Sequence, residues 1–594
     1  MNPHLLRRLL LGACVVISFS GCDRSNSVKP PAQTTVADSN SEAADPLAAE
    51  LAIQPSVREQ RPQDWFEDVS ESSGVDFRYD SGRKSLQYSM IESFGGGVAL
   101  FDFDQDGDLD LLSVGGGNIS ADLVITGQGV ELFRNDGDLK FHRITNEVGL
   151  DVEFDYGHGV AVGDINNDQF PDVFVTCYGQ SRLFQNKEGT HFEDVTERLS
   201  PIPTGWQTAA CFADFNNDSH TDLYVAGYLK WEPNQAEFCL DPTSKLRDIC
   251  MPGDFPDARD HLYLNTGEGT FIDQSEAWGL RDDGKGLGVI AGDLSGDGDI
   301  DLYVANDVDR NFFYENQAHE SFEEQGILAG NSGNEFGIPE GSMGIDGGDL
   351  NRDGLIDILV TNYELEENAI YMNLGEGVFS HGTVTWGFAG RCRPYVGFGT
   401  KIADFDCDGW NDIIIVNGHV TYRNRKSSYL QPALLYNNKN GERLEFVESP
   451  SPWFDIPHAG RGLAVGDLDN NGTLDVVVTA QDETVSILKN RHQCDSWVGF
   501  NLIGKASGTD AVGTSVTLLT EDSNIEGEEW MQSILKGGGY LSYSDHRILF
   551  PLPEMTLPVK FQIRWSSGTN QTVTLNKKNR YVTIIESAKI ESQE

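Results

Sequence analysis

The chain has 594 residues, with 93 Asp and Glu against 43 Lys and Arg, a formal net charge of −50. This excess of acid excludes the basic footprint that a nucleic-acid binder needs, and it disfavours adsorption of the protein surface to anionic membrane. With 39% hydrophobic and 10% aromatic residues the chain can bury a sizeable core, which excludes wholesale disorder.

At the N-terminus Arg7 and Arg8 precede an apolar run from Leu9 to Phe19, which meets Ser20-Gly21-Cys22. A basic start, a short apolar stretch and small residues at its end form an export signal, because the run is too short to span a bilayer. The Ser-Gly-Cys ending resembles a bacterial lipobox. That resemblance makes residues 1–22 a lipoprotein-type signal peptide and Cys22 the lipidated residue. The expected location is exported and membrane-anchored, periplasmic or at the cell surface, with membrane contact only through the N-terminal lipid. Residues 23–64 are rich in Ser, Ala, Pro, Thr and Gln and read as a disordered linker.

A nine-residue segment then recurs seven times, with starts 50 to 79 residues apart. Oxygen-bearing side chains stand at positions 1, 3, 5 and 9, and position 6 is mostly Gly. In the first three loops they are Asp102, Asp104, Asp106 and Asp110; Asp164, Asn166, Asp168 and Asp172; and Asp214, Asn216, Asp218 and Asp222. Loops four and five contribute Asp293, Ser295, Asp297 and Asp301, then Asp349, Asn351, Asp353 and Asp357. Loops six and seven contribute Asp404, Asp406, Asp408 and Asp412, then Asp467, Asp469, Asn471 and Asp475.

Each segment follows a Gly-rich run such as Gly157-His158-Gly159 and precedes a short apolar run such as Val173-Phe174-Val175. In several repeats an aromatic residue and an Asn then lead into a turn, as at Asn186, Asn265 and Asn373, and a Phe-led run such as Phe192–Val195 closes the unit. Four short strands per unit, seven times over, predict an all-β chain dominated by a seven-bladed β-propeller over residues 65–495. An open β-solenoid is the linear alternative. The run Phe66–Val69 has the form of a fourth strand but precedes the first repeat. It is therefore expected to complete the last blade and seal the ring.

Carboxylates and amides at positions 1, 3, 5 and 9 surround one point with hard oxygen ligands, and Gly at 6 permits the sharp turn, as calcium requires. Position 12 is Ser113, Val175 or Val225 rather than the Glu of an EF-hand. Asp and Asn are also ordinary turn residues, but seven loops with one spacing favour metal. The expected cofactor is Ca2+ at up to seven sites, with loops one, five and six the strongest matches. The loops hold 23 Asp at these positions, so the charge is in part a set of metal ligands.

The Gly-rich strand followed by Asp-x-Asp-x-Asp-Gly resembles the FG-GAP (VCBS) repeat of integrin α-chain propellers. Residues 496–588 alternate apolar and polar, as in Val559-Lys-Phe561-Gln-Ile563, and read as a small β-sandwich-like domain. Trp497–Leu502, Asp510–Gly513, Gly537–Ser542 and Arg564–Gly568 make this segment similar to the ASPIC/UnbV domain. Both in this order resemble bacterial relatives of the cartilage acidic proteins, which implies a secreted, calcium-binding, acidic propeller without assigned chemistry. Gly537–Gly539 suits a tight bend between strands better than a phosphate cradle, because no helix follows.

Cys239 and Cys250 lie in the longest insertion between repeats and are a disulfide candidate; Cys392 with Cys407 and Cys177 with Cys211 are further possible pairs, which would leave Cys494 single. His158, His419 and His458 stand at or near the Gly-rich strands, and Asn306, Asp307, Asn311 and Glu340 at strand ends. No nucleophile elbow, zinc motif or dinucleotide fingerprint accompanies them, so no catalytic residue is assigned. The expected function is a calcium-binding scaffold that holds a protein or glycan. The alternative is an extracytoplasmic polysaccharide lyase or hydrolase working at the channel mouth.

Overall fold

The computed structural model describes residues 45–53, 57–233, 239–424, 426–519, 530–552 and 555–587. The expected signal peptide with Cys22 and residues 23–44 of the linker lie outside the described residues.

Each repeat folds as four antiparallel strands, and the nine-residue segment is the loop between the first and second. The first strands are Val98–Phe101, Tyr156–Gly163, Thr204–Ala213, Gly286–Gly292, Ile345–Gly348, Gly397–Ala403 and Gly460–Gly466. Small residues are required there because neighbouring inner strands converge: a Cβ on Gly159 would lie 2.7 Å from the Thr208 carbonyl. In the seventh unit Phe66, Glu67 and Asp68 pair antiparallel with Asn490, Lys489 and Leu488, so the expected strand from before the first repeat does complete the last sheet.

Apolar faces of successive sheets pack together all the way round. Leu112 and Val114 of the first sheet meet Val160 and Val175 of the second, and Val477 and Ile487 of the seventh meet Leu100 and Leu111 of the first. The chain is therefore closed on itself, and the solenoid alternative fails. A polar stitch accompanies the apolar one. The third strand of every unit carries a buried Asn: Asn135, Asn186, Asn265, Asn316, Asn373, Asn438 and Asn490. Its amide nitrogen donates to the carbonyl of loop position 2 in the preceding unit: Asn186 to Phe103, Asn265 to Ile165, Asn316 to Phe215 and Asn373 to Leu294. Asn438 to Leu350 and Asn490 to Phe405 continue the series, and Asn135 to Leu468 closes the circle at 2.9 Å.

The C-terminal segment forms two sheets, one of three strands around Trp497–Ile503 and one of four around Val559–Arg564, with Phe500, Val516, Phe550 and Phe561 between them. The Gly-rich run is a bend, with φ of +82°, +87° and +64° at Gly537, Gly538 and Gly539. Its destination was not foreseen: it carries the chain into the centre of the propeller. Gly538 N donates to the Val289 carbonyl, Tyr543 N to Val98, and the Leu541 carbonyl accepts from Val160 N, at 2.8–3.1 Å. Tyr540 and Leu541 are buried there. Tyr79, Phe94, His158 and Trp206 pack in the same central cluster of buried aromatics. Arg461 is fully buried, donates to the carbonyls of Ser93, Gly418, Gly460 and His419, and lies 4.0 Å over Phe398.

The linker reading needs shortening at its C-terminal end. Leu47 is buried, Asp45 pairs with Arg83 at 2.7 Å, and Asp64 accepts from Arg58 and Arg61. Composition missed this because a few ion pairs and one buried Leu, rather than an extended apolar run, hold the segment down. The two arginines hold the Asp64 carboxyl down at about 2 despite its burial.

Replacing Asn373 by Ala removes donors to Leu294 and Ile356 and the acceptor for Gly375 N. Urea unfolding should show a loss of about 2–4 kcal/mol, because buried carbonyls lose their partners. A loss below about 0.5 kcal/mol would remove the stitch from the account.

Candidate metal centres

The seven loops share one internal wiring. The position 9 Asp opens the second strand and is buried in every unit. One of its oxygens accepts the amide of position 2, as Asp110 from Phe103, Asp222 from Phe215 and Asp475 from Leu468. The other accepts the amide of the stitching Asn, as Asp110 from Asn135 and Asp412 from Asn438. Position 1 accepts the amide of position 6, as Asp102 from Gly107 and Asp404 from Gly409. Position 5 caps the amide of position 7 in all seven, from Asp106 on Asp108 to Asn471 on Thr473.

This wrap concentrates carboxylates. In four loops three of them bring an oxygen within 4.8 Å of one another: Asp102, Asp104 and Asp110; Asp293, Asp297 and Asp301; Asp404, Asp406 and Asp412; Asp467, Asp469 and Asp475. Burial, with neighbouring carboxylates adding to it, pushes Asp102 up to about 6 and Asp110 to about 8, and burial alone raises Asp467 to about 6 against the hydrogen bonds and the Arg547 charge that lower it. Burial likewise raises the position 9 carboxyls Asp172, Asp222, Asp301, Asp357, Asp412 and Asp475 well above the usual range. Buried oxygens of Asp404, Asp469 and Ser295 have no hydrogen-bond partner. All-oxygen donors with unpartnered members fit a hard cation.

The carboxylate triads do not follow the motif match alone. Loop four forms a triad despite Ser295, because Asp297 at position 5 takes the place of position 3. Loop five does not, because Asn351 at position 3 donates to Asp353 at 2.9 Å. Asn166 and Asn216 do the same to Asp168 and Asp218, so loops two, three and five carry an amide in place of one acid.

Position 4 went unnoticed in the sequence because its residue type varies. Its backbone is left-handed in every loop, at Gln105, Asn167, Asn217, Gly296, Arg352, Cys407 and Asn470. Its side chain reaches the position 6 carbonyl of the next loop: Gln105 to Gln169, Asn167 to Ser219, Arg352 to Gly409 and Asn470 to Gly107, and the Cys407 thiol lies 4.0 Å from the Gly472 carbonyl. Five neighbouring pairs of loops are thereby tied together; the series is interrupted at Asn217, whose amide meets His319 instead, and at Gly296, which has no side chain to reach with.

The Cys239–Cys250 disulfide is present. Cys177, Cys211 and Cys392 are buried free thiols, and the Cys407 neighbour is Cys494, with which it hydrogen-bonds, rather than Cys392. His158 is buried with both ring nitrogens unpartnered and stacks on Trp206, and burial pushes it down to about 3. His419 accepts from Thr421 N, and His458 stacks on Trp453 beside Glu483. Asp307 accepts from the Tyr228 hydroxyl, Asn311 from Asn306 N, and Glu340 from Asn362.

Residues 102–175, 164–225, 246–304, 293–360, 349–415 and 404–478 match the FG-GAP-like repeat. The chain belongs to this family. Residues 504–591 match the ASPIC and UnbV family. Similar proteins are cartilage acidic protein 1 of Mus musculus, 22% identical over 495 residues, 78% of this chain and 68% of that protein, and of Homo sapiens, 24% identical over 350 residues, 57% and 50%. The Xenopus tropicalis protein of the same name is 29% identical over 179 residues, so this chain spans about a quarter of its length, 24%, and 30% of this chain is matched. Among solved structures, an Agrocybe aegerita lectin recognising non-reducing terminal N-acetylglucosamine has a TM-score of 0.38 at 14% identity, covering 66% of this chain and 87% of that one. YCF48 bound to a D1 peptide has 0.39 at 7%, covering 74% and 99%.

Asp104→Asn should change sign with conditions. In chelator it relieves carboxylate repulsion and stabilises by about 1 kcal/mol; with a divalent cation present it removes a ligand and destabilises. Thermal unfolding in both conditions checks this, and the same sign in both would contradict a metal centre.

Proposed function

We propose that this chain is an exported, calcium-stabilised binding scaffold in which up to seven Ca2+ ions occupy the acidic loops. The ions would be held by positions 1, 3, 5 and 9, with Asn or Ser oxygens serving where an acid is absent. Seven loops with the same wrap and an all-oxygen donor set support calcium over softer metals. The basic-apolar start of the chain and the Cys239–Cys250 disulfide support export, with Cys22 as the lipid anchor.

The ligand would be a protein or a glycan, held at the end of the propeller opposite the acidic loops. The carrying observation is the exposure of large apolar side chains in connections that topology places at that end. Leu328 is 81% exposed and Phe336 77%, with Ile338 and Leu365 also exposed. Among the described residues Leu541, Tyr540 and Trp206 are buried in the central cluster, which supports binding at the loops.

A glycan and protein array probed with the full chain in calcium should give binding that Phe336→Asp reduces at least tenfold and chelator abolishes. Turnover of a polysaccharide, lost on His158→Ala but kept in Phe336→Asp, would favour the enzyme instead.

A further inference from the structure

The acidic loops do more than face solvent: they are the surface on which the C-terminal domain sits. At loop two, Thr509 Oγ1 donates to Asn167 Oδ1 at 2.8 Å, and Asp164 N donates to Asp510 Oδ2 at 3.0 Å. At loop three, Ser219 Oγ donates to the Ala506 carbonyl at 3.1 Å. At loop four, Arg564 lies 3.8 Å from Asp293. Where loops five and six meet, the Arg352 guanidinium of loop five lies over the rings of Trp410 in loop six and Trp530 of the domain, 3.8 and 4.3 Å from their centres. At loop seven, the Tyr581 hydroxyl donates to Asp467 Oδ2 at 2.9 Å, and Arg547 donates to the Asp467 carbonyl and to Asn470 Oδ1.

These contacts fall mainly on positions 1, 4 and 6. Positions 4 and 6 have left-handed backbone, with φ of +59° at Asn167, +68° at Ser219, +89° at Gly409 and +53° at Asn470. The domain therefore reads the wrapped shape of the loops. Asp467 belongs at once to a carboxylate triad and to the docking contact. Without a cation, clustered carboxylates repel and the wrap loosens; with one, the wrap is fixed. The same domain carries the Lys536–Tyr543 segment into the channel, where Lys536–Gly537 pairs with Ile290–Ala291.

We propose that the C-terminal domain is a calcium-dependent cap: metal in the acidic loops seats the domain, and loss of metal unseats it and withdraws the segment that fills the channel. This inference rests on the calcium reading of the loops. By linkage the coupling is reciprocal, so a contact that seats the domain also tightens the loop it touches.

Hydrogen exchange of the full chain, read by mass spectrometry beside calorimetric calcium titration, tests both. In chelator, peptides spanning 536–545 should exchange at least tenfold faster than in calcium, while peptides spanning 515–519 and 559–564 keep their protection. Tyr581→Phe, which leaves the domain core untouched, should raise the calcium concentration needed to protect 536–545 by severalfold. Calcium uptake with protection of 536–545 indifferent to chelator would overturn the cap and leave the calcium reading standing. Equal loss of protection in all three segments would mean global unfolding and also overturn the cap. No calcium uptake would overturn both.

Discussion

Each sheet of this propeller is fastened to the one before it through one buried carboxylate. The position 9 Asp accepts the amide that starts its own loop and the amide of the stitching Asn, whose side chain then reaches the preceding sheet. Seven such groups sit where burial makes their charge costly, beside the other acids of the same loop. Loop wrap, sheet register and ring closure share this element. A cation in the loop offsets the cost of its charge, so metal and ring are bound into a single problem.

The consequence is an unusual division of labour between the two ends of the molecule. At one end the acidic loops are tied to each other through position 4 and covered in part by the C-terminal domain. At the other end longer connections carry the disulfide and the exposed apolar residues. The axis between them is packed with Tyr540, Leu541, Trp206 and Arg461 rather than left as a pore.

Much of this was legible in the sequence because it repeats. Nine-residue spacing, the Gly-rich strand before it and the displaced Phe66 fixed the sheets, their loops and their closure. What stayed hidden depends on partners distant in the chain. Asn186, Asn265 and Asn373 looked like turn residues, since Asn is common in turns, and only the structure shows each reaching the preceding unit. Gly537–Gly539 gave a bend but not its destination, because Val98 lies more than 400 residues away in the chain. The carboxylate triad of loop four was not legible, because motif matching reads residue type and not which oxygens converge.

On the proposed function the acidic loops are held closed by calcium. The most direct measurement of this is thermal unfolding of the full chain in calcium and in chelator. A site with free calcium at 100 times its dissociation constant adds about 2.7 kcal/mol, so several filled sites must raise the midpoint strongly and reversibly. A midpoint that is the same in both conditions would contradict the account.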